Sequence, residues 1–281
     1  MDQSQNDVAP AAVAPAAPHA AMVGVHGVSK DFYVNAGHEQ QTVRALEDIS
    51  FSAAPGEIVA LAGLSGCGKT TLLRIMMGLE QADAGTVTVS GREVDRPGHD
   101  RGMVFQHAEL LPWRTALKNV EFGLRMKGLS AEKARARAER ALTLVGLEDS
   151  MGRRPHQLSG GMKQRVGIAR ALAIDPEVLL MDEPFGALDA QTRETLQGEL
   201  LAIHERTGKT MIFVTHDLDE AVLLADRVVV MSAHPGRIRA QVEIDLPRPR
   251  HDPEALRATE AFIKHRYQIW QLLQSTTAPT S

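Results

Sequence analysis

"EIVALAGLSGCGKTTLLRIMMG" runs from Glu57 to Gly78, and three kinds of local pattern meet inside it. Glu57–Gly63 is a short apolar run ending in glycine, which suits a buried strand. Lys69–Gly78 has helical spacing, and Gly78 is placed to cap the helix C-terminus. Between them lie Leu64, Ser65, Gly66, Cys67 and Gly68, and the helix opens with a lysine and two threonines. Glycines let backbone N–H groups curl around an anion, and the first turn of a helix adds unpaired N–H groups and a positive dipole end. The spacing Gly63-x4-Gly68-Lys69-Thr70, between strand and helix, is the P-loop pattern in its proper context. Lys69 is then expected on the β/γ-phosphates of a nucleotide and the Thr70 hydroxyl on Mg²⁺.

Working outward, "VLLMDEP" (Val178–Pro184) is an apolar strand ending in two acids. Asp182 at the tip suits a Mg²⁺ site, and Glu183 beside it suits a general base for an attacking water. "FVTHDLDEA" (Phe213–Ala221) puts His216 at another strand tip, where ligands of α/β sheets bind, so His216 is expected on the γ-phosphate. Gln106, after the apolar "MVF", reads on its own as a surface residue. "LSGGMKQRVGIARAL" (Leu158–Leu172) is a serine cap, two glycines and a helix, a second loop fit for an anion.

The rest of the chain sets these motifs in order. Residues 1–22 are rich in alanine and proline and read as a disordered tail. Apolar alternation begins near Val23, and "GTVTVSGREV" (Gly85–Val94) reads as a hairpin turning at Ser90-Gly91. A mostly helical stretch covers about residues 107–165. Strands follow at Val178–Met181, Thr210–Thr215 and Arg227–Ser232, with helices at Ala190–Arg206 and Leu218–Ala225. A final strand is expected at Gln241–Leu246 and a helical region at Pro253–Leu273. The result is an α/β core interrupted by a helical insertion.

Of 281 residues, 43% are hydrophobic and 23% charged, as in soluble globular proteins. The formal net charge of −4 shows no basic excess, so nothing in it points to nucleic acid. Cys67 is the single cysteine, which excludes an internal disulfide and a cysteine-based zinc site. No apolar run reaches the roughly 18–20 residues of a membrane span, and no lysine or arginine precedes Lys30, as a secretory signal would need. A cytosolic chain is expected, reaching any membrane through a partner.

Taken together, these motifs resemble the ATP-binding subunit of an ABC transporter over about residues 23–250. Gly63, Leu64, Ser65, Gly66, Cys67, Gly68, Lys69, Thr70 and Thr71 resemble the family's Walker A loop. Gln106 resembles the Q-loop glutamine, which also faces the metal. Leu158-Ser159-Gly160-Gly161-Met162 resembles the signature, Val178–Glu183 Walker B, Gly186-Ala187-Leu188-Asp189 the D-loop, and His216 the switch histidine. Phe32 best fits the aromatic that stacks on adenine, with Tyr33 next. "LLPWRTALKNV" (Leu110–Val120), "SAHPGRI" and "LPRPR" (Leu246–Arg250) are similar to importers of nitrate, sulfonates, taurine and bicarbonate. Leu64 departs from the bulkier polar residue or proline usual there.

The resemblance implies a P-loop NTPase (RecA-like) α/β core with an antiparallel β subdomain, an inserted helical subdomain and a C-terminal helical extension over 251–281. It implies ATP and Mg²⁺ as ligands and hydrolysis with Glu183, His216 and Gln106 in the catalytic set. Two cassettes would face head to tail. Ser159, Gly160 and Gly161 would then address the γ-phosphate held by the partner, and Asp189 would link the two sites. The implied partners are a second copy or a paralogous cassette, an integral-membrane permease and, through it, a solute-binding protein. The implied place is the cytoplasmic face of the inner membrane. The rival is an ABC ATPase acting on nucleic acid or ribosomes. Such chains carry a long coiled-coil insertion or two cassettes, whereas 88 residues separate Lys69 from Leu158 here and one cassette is present. A P-loop kinase would need no second glycine loop.

Overall fold

The computed structural model describes residues 21–36, 39–250 and 252–274, so the Ala/Pro-rich tail lies almost wholly outside the described residues. In chain order come β1 (Val23–Ala36), β2 (Glu39–Ala53), β3 (Ile58–Gly63), α1 (Lys69–Met77), β4 (Ala84–Val89), β5 (Arg92–Glu93) and β6 (Arg101–Val104). Three helices follow: α2 (Ala116–Met126), α3 (Ala131–Leu144) and α4 (Gly160–Ala173). Then come β7 (Val178–Asp182), α5 (Ala190–Thr207), β8 (Thr210–Thr215), α6 (Leu218–Leu224), β9 (Arg227–Ser232), β10 (Arg237–Glu243), α7 (Pro253–Arg257) and α8 (Glu260–Gln274).

The strands form two sheets. One is antiparallel, with order β2-β1-β4-β5, and the other has order β10-β9-β3-β8-β7-β6. In the second, β9, β3, β8, β7 and β6 are mutually parallel and β10 is an antiparallel edge. Strand alternation sorts the side chains of its central strands between two cores. Ala60, Leu179, Phe213 and Val228 face the core built with α4, α5 and α6. Leu61, Leu180, Ile212 and Val229 face α1 and the antiparallel sheet. Both faces are covered, and this is why these strands read as continuous apolar runs.

The expected turn at Ser90-Gly91 joins β4 to β5, with both residues at positive φ. Helices α2, α3 and α4 pack on one another. Residues 107–115 are not helical, and α4 runs on to Ala173. Asn119 explains the irregular start. It is buried, accepts from Leu111 N at 2.7 Å and donates to the carbonyls of Leu111, Arg114 and Thr115. This fixes 111–115 as a turn.

Two expectations need correction at the C-terminal end. The last strand is Arg237–Glu243, not Gln241–Leu246. Pairing ends at Glu243, yet Ile244 and Leu246 stay buried, so the apolar signal outlasts the ladder. The region from Pro253 is two helices. The Thr259 hydroxyl accepts from Phe262 N at 3.3 Å and starts the second.

Candidate nucleotide site

Four adjacent strands, β3, β8, β7 and β6, run parallel, so their C-terminal ends share one edge. The P-loop leaves β3, His216 follows β8, Asp182 ends β7 with Glu183 next, and Gln106 follows β6 by two residues. Residues far apart in sequence therefore meet at one rim, where open α/β sheets bind ligands.

The P-loop is built into the core. Gly66 and Gly68 have φ of 82° and 86°, a region side chains rarely adopt. A Cβ on Gly68 would lie 2.5 Å from Leu46 Cδ2 and 2.9 Å from Ala45 O. A Cβ on Gly63 would lie 2.6 Å from the buried Cys67 Sγ. Gly68 precedes α1 with no side-chain cap, which leaves the first turn's N–H groups for a ligand. Lys69 is buried inside the loop, where Nζ donates to Gly63 O at 2.7 Å and Leu64 O at 3.0 Å. Leu64 and Ser65 are exposed on the loop's outer side, and Thr71 is half-buried in the first turn of α1.

Across the rim, Thr70 Oγ1 donates to Asp182 Oδ1 at 3.0 Å. Burial raises the Asp182 carboxyl above its usual range, countered by the Thr70 bond and reinforced by Glu183. A hydroxyl and a carboxylate side by side suit a hard cation with oxygen ligands, so the residues present fit Mg²⁺. Among the described residues no group of three or more His, Cys, Asp or Glu could hold a metal. Glu183 has φ of 42°, a strained value for a residue with a side chain. Its Oε2 lies 3.3 Å from His216 Nδ1. Gly186 makes room for this, since a Cβ there would lie 3.3 Å from Gln106 Nε2 and 3.4 Å from Glu183 Oε2. Gln106, Glu183 and His216 thus converge on one point.

The second glycine loop lies elsewhere. Ser159 caps α4 by accepting from Met162 N at 3.3 Å, and its O–H stays free to donate. Ser159 and Gly160 are exposed. A Cβ on Gly161 would lie 2.4 Å from Thr192 Cγ2, so the starts of α4 and α5 touch. Asp189 caps α5, accepting from Thr192 N at 3.0 Å and Thr192 Oγ1 at 2.7 Å, and these bonds hold its carboxyl below the usual range. The P-loop glycines meet Leu46, Met231 and His234, whereas the second loop meets Leu188 and Thr192.

Phe32 pairs across strands with Val43, and Lys30 lies over its ring at 5.5 Å. Lys30 and Phe32 share one strand face, so Tyr33 points to the other. Val43, exposed beside Phe32, was missed from the sequence, where nothing marks a valine in a polar strand. Gly236 was missed too. It bonds Ala45 O through N, and a Cβ there would lie 2.2 Å from Cys67 O. The "HPG" turn was its only signal.

Residues 46–186 match the family model described as ABC transporter. A taurine import ATP-binding protein of Rhizobium johnstonii is 45% identical over 84% of this chain and 91% of its own length. A nitrate import ATP-binding protein of Synechocystis sp. is 46% identical over 83% of this chain and 89% of its own. A solved dimer of an ATP-binding cassette, in a post-hydrolysis state with ADP and Pi, has 34% identity and a TM-score of 0.69, covering 80% of this chain and 100% of that one. This chain belongs to the ABC transporter family and is one of its ATP-binding, ATP-hydrolysing cassettes.

Proposed function

We propose that this chain works as half of a head-to-tail cassette dimer, whose closure on ATP powers import of a small solute through a membrane permease. The observation that carries this is the convergence of Gln106, Glu183 and His216 beside the Thr70–Asp182 pair, with a second glycine loop turned to other neighbours. We assign residues 23–250 to the ATPase domain, with α2, α3 and α4 (the last ending at Ala173) as its helical subdomain, 251–281 to an extension and 1–22 to a tail.

Lys69 and the first-turn N–H groups of α1 hold the β- and γ-phosphates, and Phe32 stacks on adenine. Thr70 and Asp182, with Gln106, would hold Mg²⁺, which would neutralise charge on the phosphates. Glu183 accepts a proton from the attacking water, and His216 holds the γ-phosphate end. Ser159, Gly160 and Gly161 reach the nucleotide of the partner chain. One helix terminus contributes roughly 0.3–1 kcal/mol to an anion, so two sites with hydroxyl and multiple N–H contacts are needed to favour closure. ADP, lacking the γ-phosphate, forfeits that preference, and a ligand shifts an equilibrium only by its differential affinity.

The permease docks beside Gln106, at the turn that Asn119 fixes, where Trp113 stands exposed. Relatives at 45% and 46% identity carry taurine and nitrate in their names, so nitrate, sulfonates, taurine and bicarbonate form the expected solute class. A solute-binding protein and the permease choose among them. The cassette sits on the cytoplasmic face of the inner membrane through that permease.

Glu183→Gln tests the proposal. ATP still binds, turnover falls by about 10²–10⁴-fold, and dimers persist in ATP on size-exclusion chromatography. Rapid turnover by this variant would remove Glu183 from the chemistry.

A further inference from the structure

Helix α5 starts after Asp189 and helix α6 after Asp217, the residue following His216. One side chain spans both starts. Arg193, in the first turn of α5, donates from Nη2 to Leu188 O at 3.2 Å. Its Nη1 lies 3.7 Å from Asp217 Oδ2, and its Nε lies 3.9 Å from Glu220 Oε1. Glu220 is buried, and Thr215 Oγ1 donates to its Oε2 at 2.6 Å. The same Thr215 oxygen accepts from Asp217 N at 3.0 Å. His216 is therefore bracketed by two residues that share one hydroxyl, and that hydroxyl is held by Glu220. Gln197, four residues along α5 from Arg193, donates to Glu220 Oε1 at 3.3 Å.

Only the Leu188 contact is a hydrogen bond; at 3.7 and 3.9 Å the two carboxylates are ion-pair contacts, and the buried Nε has no hydrogen-bond partner among the described residues. A planar guanidinium with a fixed fork faces one carbonyl and two carboxylates at once, which an ammonium on a flexible stem cannot do in the same geometry. Helix α5 is anchored by other residues, among them the buried Leu196, Leu200 and Ile203. Arg193 is thus not needed to hold the helix in place.

We propose that Arg193, through Glu220, is a positioning residue that locks the turn carrying Asp189 to the loop carrying His216. It rests on the roles of Asp189 and His216 given above. In the dimer Asp189 faces the partner and His216 faces the chain's own nucleotide. The lock makes the arrival of the partner and the setting of the switch histidine one event.

The test is a double-mutant cycle on the full chain with Arg193→Met, Glu220→Gln and the pair. Each single variant lowers kcat by about tenfold, while nucleotide affinity and melting temperature stay near wild type. The pair loses no more than either single change, because both break one link. Arg193→Lys falls between wild type and Arg193→Met. Losses that multiply in the pair, an unchanged kcat, or a parallel collapse of nucleotide affinity or melting temperature would each overturn the lock. Failure of Glu183→Gln to trap dimers refutes the proposed function alone, and the cycle on kcat still decides the coupling.

Discussion

Gly68 and Gly160 both stand at the start of a helix, yet their surroundings differ. Gly68 is left-handed, uncapped by any side chain, and pressed against Leu46 and Ala45. Gly160 follows a serine that already caps its helix, and its nearest neighbour for an added Cβ is Leu188 Cδ2 at 3.6 Å. The first loop leaves the start of its helix without a side-chain cap and depends on the core for its shape. The second has one first-turn N–H capped by its own serine and lies at the surface. A site that serves its own chain can be moulded by the core behind it. On the proposed function the second loop serves a partner, and such a site must be stable and presentable alone.

Putting the same methyl group in each loop breaks the comparison if it is wrong. Gly68→Ala forces a left-handed residue against a backbone oxygen, so it is expected to cost about 1–3 kcal/mol of stability and to abolish ATP binding. Chemical denaturation and fluorescent-nucleotide titration read both effects. Next in size is Ser159→Arg, which leaves nucleotide affinity of the isolated chain near wild type and lowers hydrolysis by about a hundredfold or more. If that affinity collapses instead, Ser159 belongs to its own chain's site. Gly160→Ala is milder, with an unchanged melting curve and about tenfold slower turnover. A melting shift as large as that of Gly68→Ala would erase the distinction.

The smallest effect concerns His204, whose Nε2–H donates to Gly56 O at 2.8 Å, at the foot of the strand feeding the P-loop. Burial holds its pKa below the usual 6.5, partly offset by the Gly56 bond. The unfolded chain therefore binds this proton at a higher pH than the folded one. This contribution to stability is complete above 6.5 and is lost as pH falls from there through the folded value. His204→Gln should flatten that part of the melting-temperature profile while leaving hydrolysis near wild type. An unaltered profile would show that His204 is not its source.

The parallel strands were legible because both faces of each are covered, so Val178–Met181 and Thr210–Thr215 read as plain apolar runs. Strand β2 was not, because "EQQTVRALEDISFSA" mixes exposed polar residues with its buried ones. The break between α7 and α8 was hidden, since Thr259 caps the second helix without any glycine or proline to mark the boundary. At the site, the P-loop, the acids after β7 and the serine cap were all readable as short local patterns. Val43, Gly236 and Arg193 were not, because each acts on residues distant in the chain.

By itself the sequence determined the pieces that depend on neighbours a few bonds away: a glycine loop before a helix, two acids after a strand, a serine before two glycines. Only the tertiary structure decided how they combine. The strand order β3-β8-β7-β6 brought Lys69, His216, Glu183 and Gln106 to one edge, and Gly186 let the last two approach. It also gave the second glycine loop different neighbours from the first. Local patterns are set by spacing along the chain, whereas this convergence is set by which strands pair and which side chains are absent where they meet.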